Sequence, residues 1–111
     1  MKQWNYTFPK GHIEENENIK ECAIRETEEE IKLKPIIEDE NNFVTEEYVS
    51  KEGKIKVSYY IAFSYEISNN TSEDTHTLIW KDINDVYNTL TYTSTKQMWI
   101  KVLNKLEKKG E

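Results

Sequence analysis

The part of the sequence that decides the fold is residues 11–33, which read GHIEENENIKECAIRETEEEIKL. Residues 18–32 are typical of a helix, because Asn16 or Asn18 is available as the N-cap and acidic side chains fill the first turns. Pro35 follows and is expected to stop the helix nearby. The stripe that packs against the rest of the protein is predicted to contain Ile24, Thr27 and Ile31.

A separate face of this helix is acidic. Because each helical residue turns by about 100°, three glutamates fall within about 100° of one another: Glu26, Glu29 and Glu30. Carboxylates this close repel unless a positive group lies among them, and Mg²⁺ or Mn²⁺ is the usual cation for a cluster of oxygen ligands. The planar fork of Arg25 suits a neighbouring carboxylate, and Gly11 would let the loop backbone approach and add a carbonyl ligand. A solvated acidic helix face is the alternative.

The composition limits what the chain does. Its 111 residues suffice for one domain, and its net charge of −6 argues against a protein that coats nucleic acid. No apolar run approaches ~18 residues and the N-terminus carries no apolar signal, so neither a membrane span nor secretion is expected. The single cysteine, Cys22, excludes an internal disulfide and a cysteine zinc cage. We therefore expect a small cytoplasmic protein.

Patterns elsewhere predict the remaining elements. Strands are predicted over residues 4–8, 43–50, 54–67 and 78–80, and helices over residues 82–90 and 94–109. Residues 51–54 are typical of a hairpin turn, and Asp82 is a candidate helix cap. This order predicts one α+β domain over residues 1–111, with a mixed, largely antiparallel sheet.

The opening stretch resembles the Nudix box, G-x5-E-x7-R-E-U-x-E-E-x-G-U, in which U is an apolar residue. Six positions match at the fixed spacing: Gly11, Glu17, Arg25, Glu26, Glu29 and Glu30. Leu33 fills the last U, whereas Thr27 stands at the first U. Lys32 stands where the box has its second glycine, and a lysine in that left-handed turn is expected to cost about 1 kcal/mol of strain.

The resemblance implies a Nudix-type α/β/α sandwich and an enzyme that hydrolyses a nucleoside diphosphate linked to another group. It implies that Mg²⁺ or Mn²⁺ is bound by Glu26, Glu29 and Glu30. The backbone carbonyl of Lys10 is a further ligand candidate. Arg25 would orient a glutamate, and Glu17 would support the loop and the metal shell. A water activated by the metal or by a nearby carboxylate would then attack phosphorus.

The flanking residues are similar to those of bis(5′-nucleosyl)-tetraphosphatases. Residues 4–14 resemble the run W-x-F-P-K-G-H-[IV]-E of that group, although the spacing after the tryptophan is longer here. This likeness implies substrate contacts from Lys10, to phosphate, and from His12. Residues 54–60 resemble a strand of the group in which a lysine meets phosphate and a tyrosine stacks on adenine, which implies Lys56 and Tyr60. An ordinary packed strand is the alternative.

A third likeness lies before Trp80, where the group has an S-x-E-H run. Counted back from Trp80, Asp74 falls on the acid, which implies a metal ligand or catalytic base outside the box. Thr75 occupies the place of the histidine, and His76 is displaced by one residue. The sequence therefore favours His76 as an ordinary surface residue of a loop.

Only ten residues precede Gly11. The family has a strand, a loop and another strand before this point, so we expect a domain that lacks its leading strands. Three explanations stay open: a reading frame that starts upstream, which we favour, a decayed relative, or a sheet completed by a partner subunit in an oligomer.

Two classes of function follow from the resemblance. The first is a hydrolase of dinucleoside polyphosphates, which would convert diadenosine tetraphosphate to ATP and AMP. Removal of pyrophosphate from RNA 5′ ends or from other nucleotide conjugates is the alternative within enzymes, and His12 favours the dinucleoside substrate over it. The second class is an inactive nucleotide-binding module, which the lost strands and Lys32 favour. A small nucleotide is the expected partner, and neither nucleic acid nor membrane is.

Overall fold

A computed structural model describes residues 4–109, apart from the side chain of Lys109. The elements are α1 (Ile19–Ile31), β1 (Leu33–Ile36), β2 (Phe43–Ser50), β3 (Gly53–Tyr60), β4 (Ser64–Ile67), α2 (Val86–Thr89) and α3 (Thr93–Lys109). The predicted α+β class is confirmed by these helices and strands. In the described part of the chain, no helix is both long and apolar enough to cross a membrane.

The strands pair as two two-stranded sheets. In the first, β1 runs antiparallel to β4, with Leu33 opposite Ile67 and Ile36 opposite Ser64. In the second, β2 pairs with β3 through a turn at residues 51–52, so the predicted hairpin is confirmed. A connection this short joins only antiparallel neighbours.

The chain divides into two compact units. The α1 unit comprises Pro9–Phe43 and Tyr59–Ile79, and it contains the β1–β4 sheet. The α3 unit comprises Val44–Ser58 with the described residues before Pro9 and after Ile79. The assignment of residues 1–111 to a single domain stays a prediction.

Helix α1 begins and ends for local reasons. The side chain of Asn18 accepts a hydrogen bond from the backbone N–H of Glu21, and the Glu21 carboxylate accepts one from the N–H of Asn18. This reciprocal capping box selects Asn18 as the N-cap over Asn16, which takes a left-handed turn conformation with φ 63°. The helix ends at Lys32, whose backbone is left-handed. Pro35 was expected to stop the helix, but it lies within β1.

The core of the α3 unit forms on one side of α3. Its buried apolar side chains are Val44, Leu90, Met98 and Val102. Two buried polar residues accompany them: Glu46 on β2 and Thr95 in the first turn of α3. The helix predicted over residues 94–109 is therefore confirmed as α3, and Met98 and Val102 are its buried apolar residues.

The strand predicted over residues 4–8 is wrong. Tyr6 gives its backbone hydrogen bonds to a single residue of another segment: its N–H donates to the Thr91 hydroxyl at 2.7 Å, and its carbonyl accepts from the Thr91 N–H at 3.1 Å. Phe8 stacks on Trp99 at a centroid distance of 5.8 Å. Trp4 and Tyr6 are exposed, so the alternation of aromatic and polar residues here does not mark a strand with one packed face.

Three other boundaries differ from the sequence prediction. Residues 54–67 form two strands, because the chain leaves β3 at Ile61, whose N–H donates to the Asn42 carbonyl, and then pairs with β1. Residues 78–80 are exposed and form no strand. Asp82 accepts bonds from Asn84 and Asp85 in a turn, so the helix predicted from residue 82 begins only at Val86.

Candidate metal centre

Arg25 lies among several carboxylates of the α1 unit. We name this group the Arg25 cluster, and it consists of Glu17, Arg25, Glu26, Glu29 and Glu30. Its Nε donates to Oε2 of Glu17 at 2.6 Å, and Nη2 donates to Oε1 of the same carboxylate at 3.0 Å. Nη1 donates to Glu26 at 2.8 Å and to Glu29 at 3.1 Å. Nη2 also donates to the backbone carbonyl of His12 at 2.9 Å. One planar guanidinium thereby holds three carboxylates and the loop before the helix.

This pairing changes the acidity of both partners. The Arg25 guanidinium lowers the pKa of Glu17 from 4.5 to about 2, because its hydrogen bonds favour the ionised carboxylate. In return, the carboxylates raise the pKa of Arg25 above its ordinary value, with Glu17 as the largest cause. A lysine ammonium is a point charge and has no fork to bind Glu17 in two places while reaching Glu26.

Gly11 leaves the space that Glu26 fills. A Cβ at this position would overlap the carboxyl carbon and both carboxyl oxygens of Glu26. The close approach expected of this loop is therefore present, and it comes from the missing side chain, since the φ of Gly11 is not positive. The Gly11 carbonyl itself accepts a weak bond from the Cys22 thiol at 3.8 Å.

Glu30 lies at the inner end of the cluster. Its Oε2 accepts the backbone N–H of Lys10 at 3.0 Å, and its Oε1 is 3.6 Å from Nε2 of His76. Burial raises the pKa of Glu30, and the nearby charge of Glu26 raises it further. A divalent cation would relieve this repulsion, which is one physical sign that the cluster suits a metal.

The segment after β4 is fastened to the end of α1, and we name residues 68–76 the docked loop. At its start, the Ser68 N–H donates to the Lys32 carbonyl at 3.0 Å, and the Ser68 hydroxyl donates to Glu28 at 2.8 Å. At its end, the His76 N–H donates to the Glu30 carbonyl at 2.7 Å. Side chain to backbone bonds run along it from Ser68 to Asn70, Ser72 and Asp74.

The docked loop brings Asp74 to the helix carboxylates. Two groups have ligand atoms within 4.8 Å of one another: Glu26, Glu29 and Asp74, and separately Glu30, Asp74 and His76. The two groups share Asp74, so together they contain four carboxylates and one imidazole. Oxygen-rich sets of this kind suit Mg²⁺ and Mn²⁺, so the residues fit the metal that the sequence implies.

Lys32 has a backbone that normally requires glycine. Its φ of 59° and ψ of 34° are left-handed, as the glycine position of the motif predicts, and such strain costs about 1 kcal/mol or more. Its ammonium donates to the Glu29 carbonyl at 2.6 Å and to the Ser72 carbonyl at 2.7 Å. The side chain therefore binds both the end of α1 and the docked loop.

The other predicted contact residues are placed as follows. Lys10 and His12 meet the cluster through their backbones, as described above, and the His12 side chain is exposed. Tyr60 packs on Phe43 in the α1 unit, with ring centroids 5.5 Å apart. Lys56 is exposed on β3 in the α3 unit. Their roles toward substrate stay predictions.

Sequence reasoning missed two residues of the cluster. His76 was expected to be an ordinary surface residue of a loop, but its Nε2 lies 3.4 Å from Oδ1 of Asp74, besides its approach to Glu30. Its place one residue after the position of the group's histidine, which Thr75 occupies, was the available signal. Lys32 was expected to add strain at the helix end, and nothing in its local sequence indicates the bond to Ser72, 40 residues away.

Comparison with known proteins places this geometry in a wider context. The family model described as NUDIX domain matches residues 1–101. A search of curated proteins found no significant match.

Proposed function

Because the chain belongs to the NUDIX family, we propose that it hydrolyses dinucleoside polyphosphates with Mg²⁺ or Mn²⁺ and converts diadenosine tetraphosphate to ATP and AMP. Membership in the family supports the coarser activity, hydrolysis of compounds that contain a linked nucleoside diphosphate. The observation that carries the proposal is the convergence of the helix carboxylates with Asp74 of the docked loop.

The helix carboxylates and Asp74 are the proposed metal ligands: Glu26, Glu29, Glu30 and Asp74. A bound divalent cation neutralises phosphate charge and acts as a Lewis acid at the phosphoryl group. Arg25 acts as a positioning residue, because it holds Glu26 and Glu29 while leaving other carboxylate oxygens for a ligand. Glu17 anchors Arg25 and so supports the same arrangement.

The reaction itself is a displacement at phosphorus. Water adds to phosphorus, the bond from that phosphorus to the bridging oxygen breaks, and a proton of the water passes to a carboxylate. We assign this base role to the carboxylate oxygen of Asp74 that would not bind the metal, because Asp74 is more exposed than the helix glutamates and is held by bonds of the docked loop. The Lys10 carbonyl remains a proposed additional ligand.

The substrate contacts are proposed from the sequence resemblance and are consistent with charge. Lys10 and Lys56 are cationic and suit the polyphosphate, and His12 follows the glycine that lies against Glu26. Tyr60 is the proposed adenine-stacking residue. The alternative is a purely structural role, in which Tyr60 packs on Phe43. We keep the proposal of a cytoplasmic location and a nucleotide as partner.

The test is metal-dependent release of ATP and AMP from diadenosine tetraphosphate by the purified chain. Glu29→Gln keeps the shape of the side chain but removes a charge from the cluster, and we expect a loss of roughly 10²-fold or more. Glu38→Gln is the matched control, because Glu38 is an exposed acid after β1. It should retain full activity.

Three outcomes would overturn the proposal. Equal turnover by the parent and Glu29→Gln would place the chemistry elsewhere. Turnover of 5′-triphosphorylated RNA but not of diadenosine tetraphosphate would replace the substrate class. Nucleotide binding without any turnover by the folded parent would instead support the inactive module.

A further inference from the structure

We propose that Lys32 is a positioning residue for the candidate metal centre, a role that rests on the function proposed above. Its ammonium joins the end of α1 to the middle of the docked loop, and this bond sets the position of Asp74 relative to the helix carboxylates. The family motif has glycine at this place, so the role belongs to this chain's own side chain.

The contacts of the Lys32 ammonium connect the two halves of the cluster. One acceptor is the backbone carbonyl of Glu29, whose carboxylate forms a group with Glu26 and Asp74. The other is the carbonyl of Ser72, two residues before Asp74. Both bonds are short, at 2.6 and 2.7 Å, and both are partly shielded from solvent. Bonds from an ammonium to carbonyls are stronger than neutral ones.

The hydrogen bond from Lys32 to Ser72 lies in the middle of the docked loop, close to Asp74. Ser68 fastens the start of the loop to the helix, and the His76 N–H fastens its end. Lys32 supplies the tie between them, at Ser72. The Ser72 hydroxyl in turn accepts the N–H of Asp74 at 3.1 Å, so the ammonium, Ser72 and the Asp74 backbone form a continuous chain of bonds.

The backbone of Lys32 supports the same inference. A left-handed conformation favours glycine, and a lysine persists there only when surrounding contacts stabilise it. The Lys32 N–H donates to the Glu28 carbonyl at 3.1 Å, as any residue at this helix end would. The bonds to Glu29 and Ser72 come from the side chain, which glycine lacks.

Two variants separate the side chain from the backbone. Lys32→Met keeps the strained backbone and the aliphatic stem but removes the donor. Lys32→Gly removes the donor and relieves the strain. Lys34→Met is the matched control, because Lys34 is an exposed lysine on β1.

The first readout is hydrogen exchange of the Asp74 and His76 backbone amides without metal, measured by NMR. The second is the Mn²⁺ dissociation constant, measured by electron paramagnetic resonance. We expect both Lys32 variants to exchange these amides about tenfold faster and to bind Mn²⁺ about tenfold more weakly. Lys32→Gly should melt at a higher temperature than Lys32→Met while binding Mn²⁺ no better, and the control should match the parent.

The remaining outcomes each decide the matter. Parent-like exchange or parent-like Mn²⁺ affinity in Lys32→Gly would overturn the positioning role and leave the proposed function intact. A parent that binds no Mn²⁺ would overturn the proposed function and this role together. If the parent turns over substrate, kcat should fall in both variants with KM changed less than twofold.

Discussion

Two carboxylate sites in this molecule are built in opposite ways. In the α1 unit, several carboxylates surround Arg25 and remain partly exposed. In the α3 unit, Glu46 is 2% exposed and accepts hydroxyl bonds from Ser94 at 2.6 Å and Thr95 at 2.7 Å. The first site has more carboxylates than cationic groups. In the second site, two hydroxyl groups donate hydrogen bonds to a single carboxylate.

The difference teaches how to tell a binding site from a structural one. Glu46 lies at the N-terminal turn of α3, where the helix dipole is positive and hydroxyls complete its bonds. Such a site needs no further ligand. In the Arg25 cluster, Glu26 and Glu30 still repel each other although the Arg25 guanidinium binds Glu26. That residual charge is what a divalent cation would neutralise.

The largest expected effect is on stability, at the buried site. Glu46→Ala leaves the hydroxyls of Ser94 and Thr95 without their acceptor, and we expect the free energy of unfolding to fall by about 3 kcal/mol. Urea denaturation measures it. Glu47→Ala, on the exposed neighbour in β2, should change stability by less than about 0.5 kcal/mol. Equal losses in the two variants would remove the distinction between the sites.

Substitution of Arg25 should lower the activity more than the stability. Arg25→Lys keeps the charge but loses the fork, so Glu17 and Glu26 are no longer held together. We expect kcat/KM for diadenosine tetraphosphate to fall about 100-fold. Steady-state kinetics check this. Full activity would show that a point charge is enough to position these carboxylates.

Two glycine substitutions should have different effects, one on metal binding and the other on stability. Gly11→Ala forces Glu26 aside, so we expect about tenfold weaker Mn²⁺ binding. Gly53→Ala has open space around the new methyl group but a φ of 111°, so it should lose about 1 kcal/mol of stability with unchanged Mn²⁺ binding. Mn²⁺ titration and thermal unfolding of both variants test the contrast, and the reverse pattern would contradict it.

The smallest expected effect is a pH dependence at Glu17. Its folded pKa of about 2 lies below the ordinary value of 4.5, so its ion pair contributes stability above that value. This contribution is lost as the pH falls towards 2. Unfolding measured across this range should show the parent more stable than Glu17→Gln at pH 6, with the difference shrinking towards pH 2. A constant difference would exclude the ion pair as its cause.

Local signals were sufficient for part of the fold. The helix ending at residue 32 and the hairpin turn within residues 51–54 depend on neighbours in the chain and were predicted, and Asn18 was one of two predicted capping residues. Predictions failed where distant partners decide. The aromatic alternation at residues 4–8 suggested a strand, but Thr91 takes the Tyr6 hydrogen bonds.

The sequence by itself determined that Arg25 and the helix glutamates share one side of α1, because their spacing follows the 3.6-residue turn. It also indicated that the loop approaches closely at Gly11, and the likeness to the family motif implied a left-handed backbone at Lys32. The likeness before Trp80 had implied that Asp74 joins this site, but only the tertiary structure decided that Ser72 and His76 return to the end of this helix. Lys32 and Ser72 are 40 positions apart, so their contact depends on the path of the loop after β4 back to α1. The local periodicity of the sequence carries no information about that path.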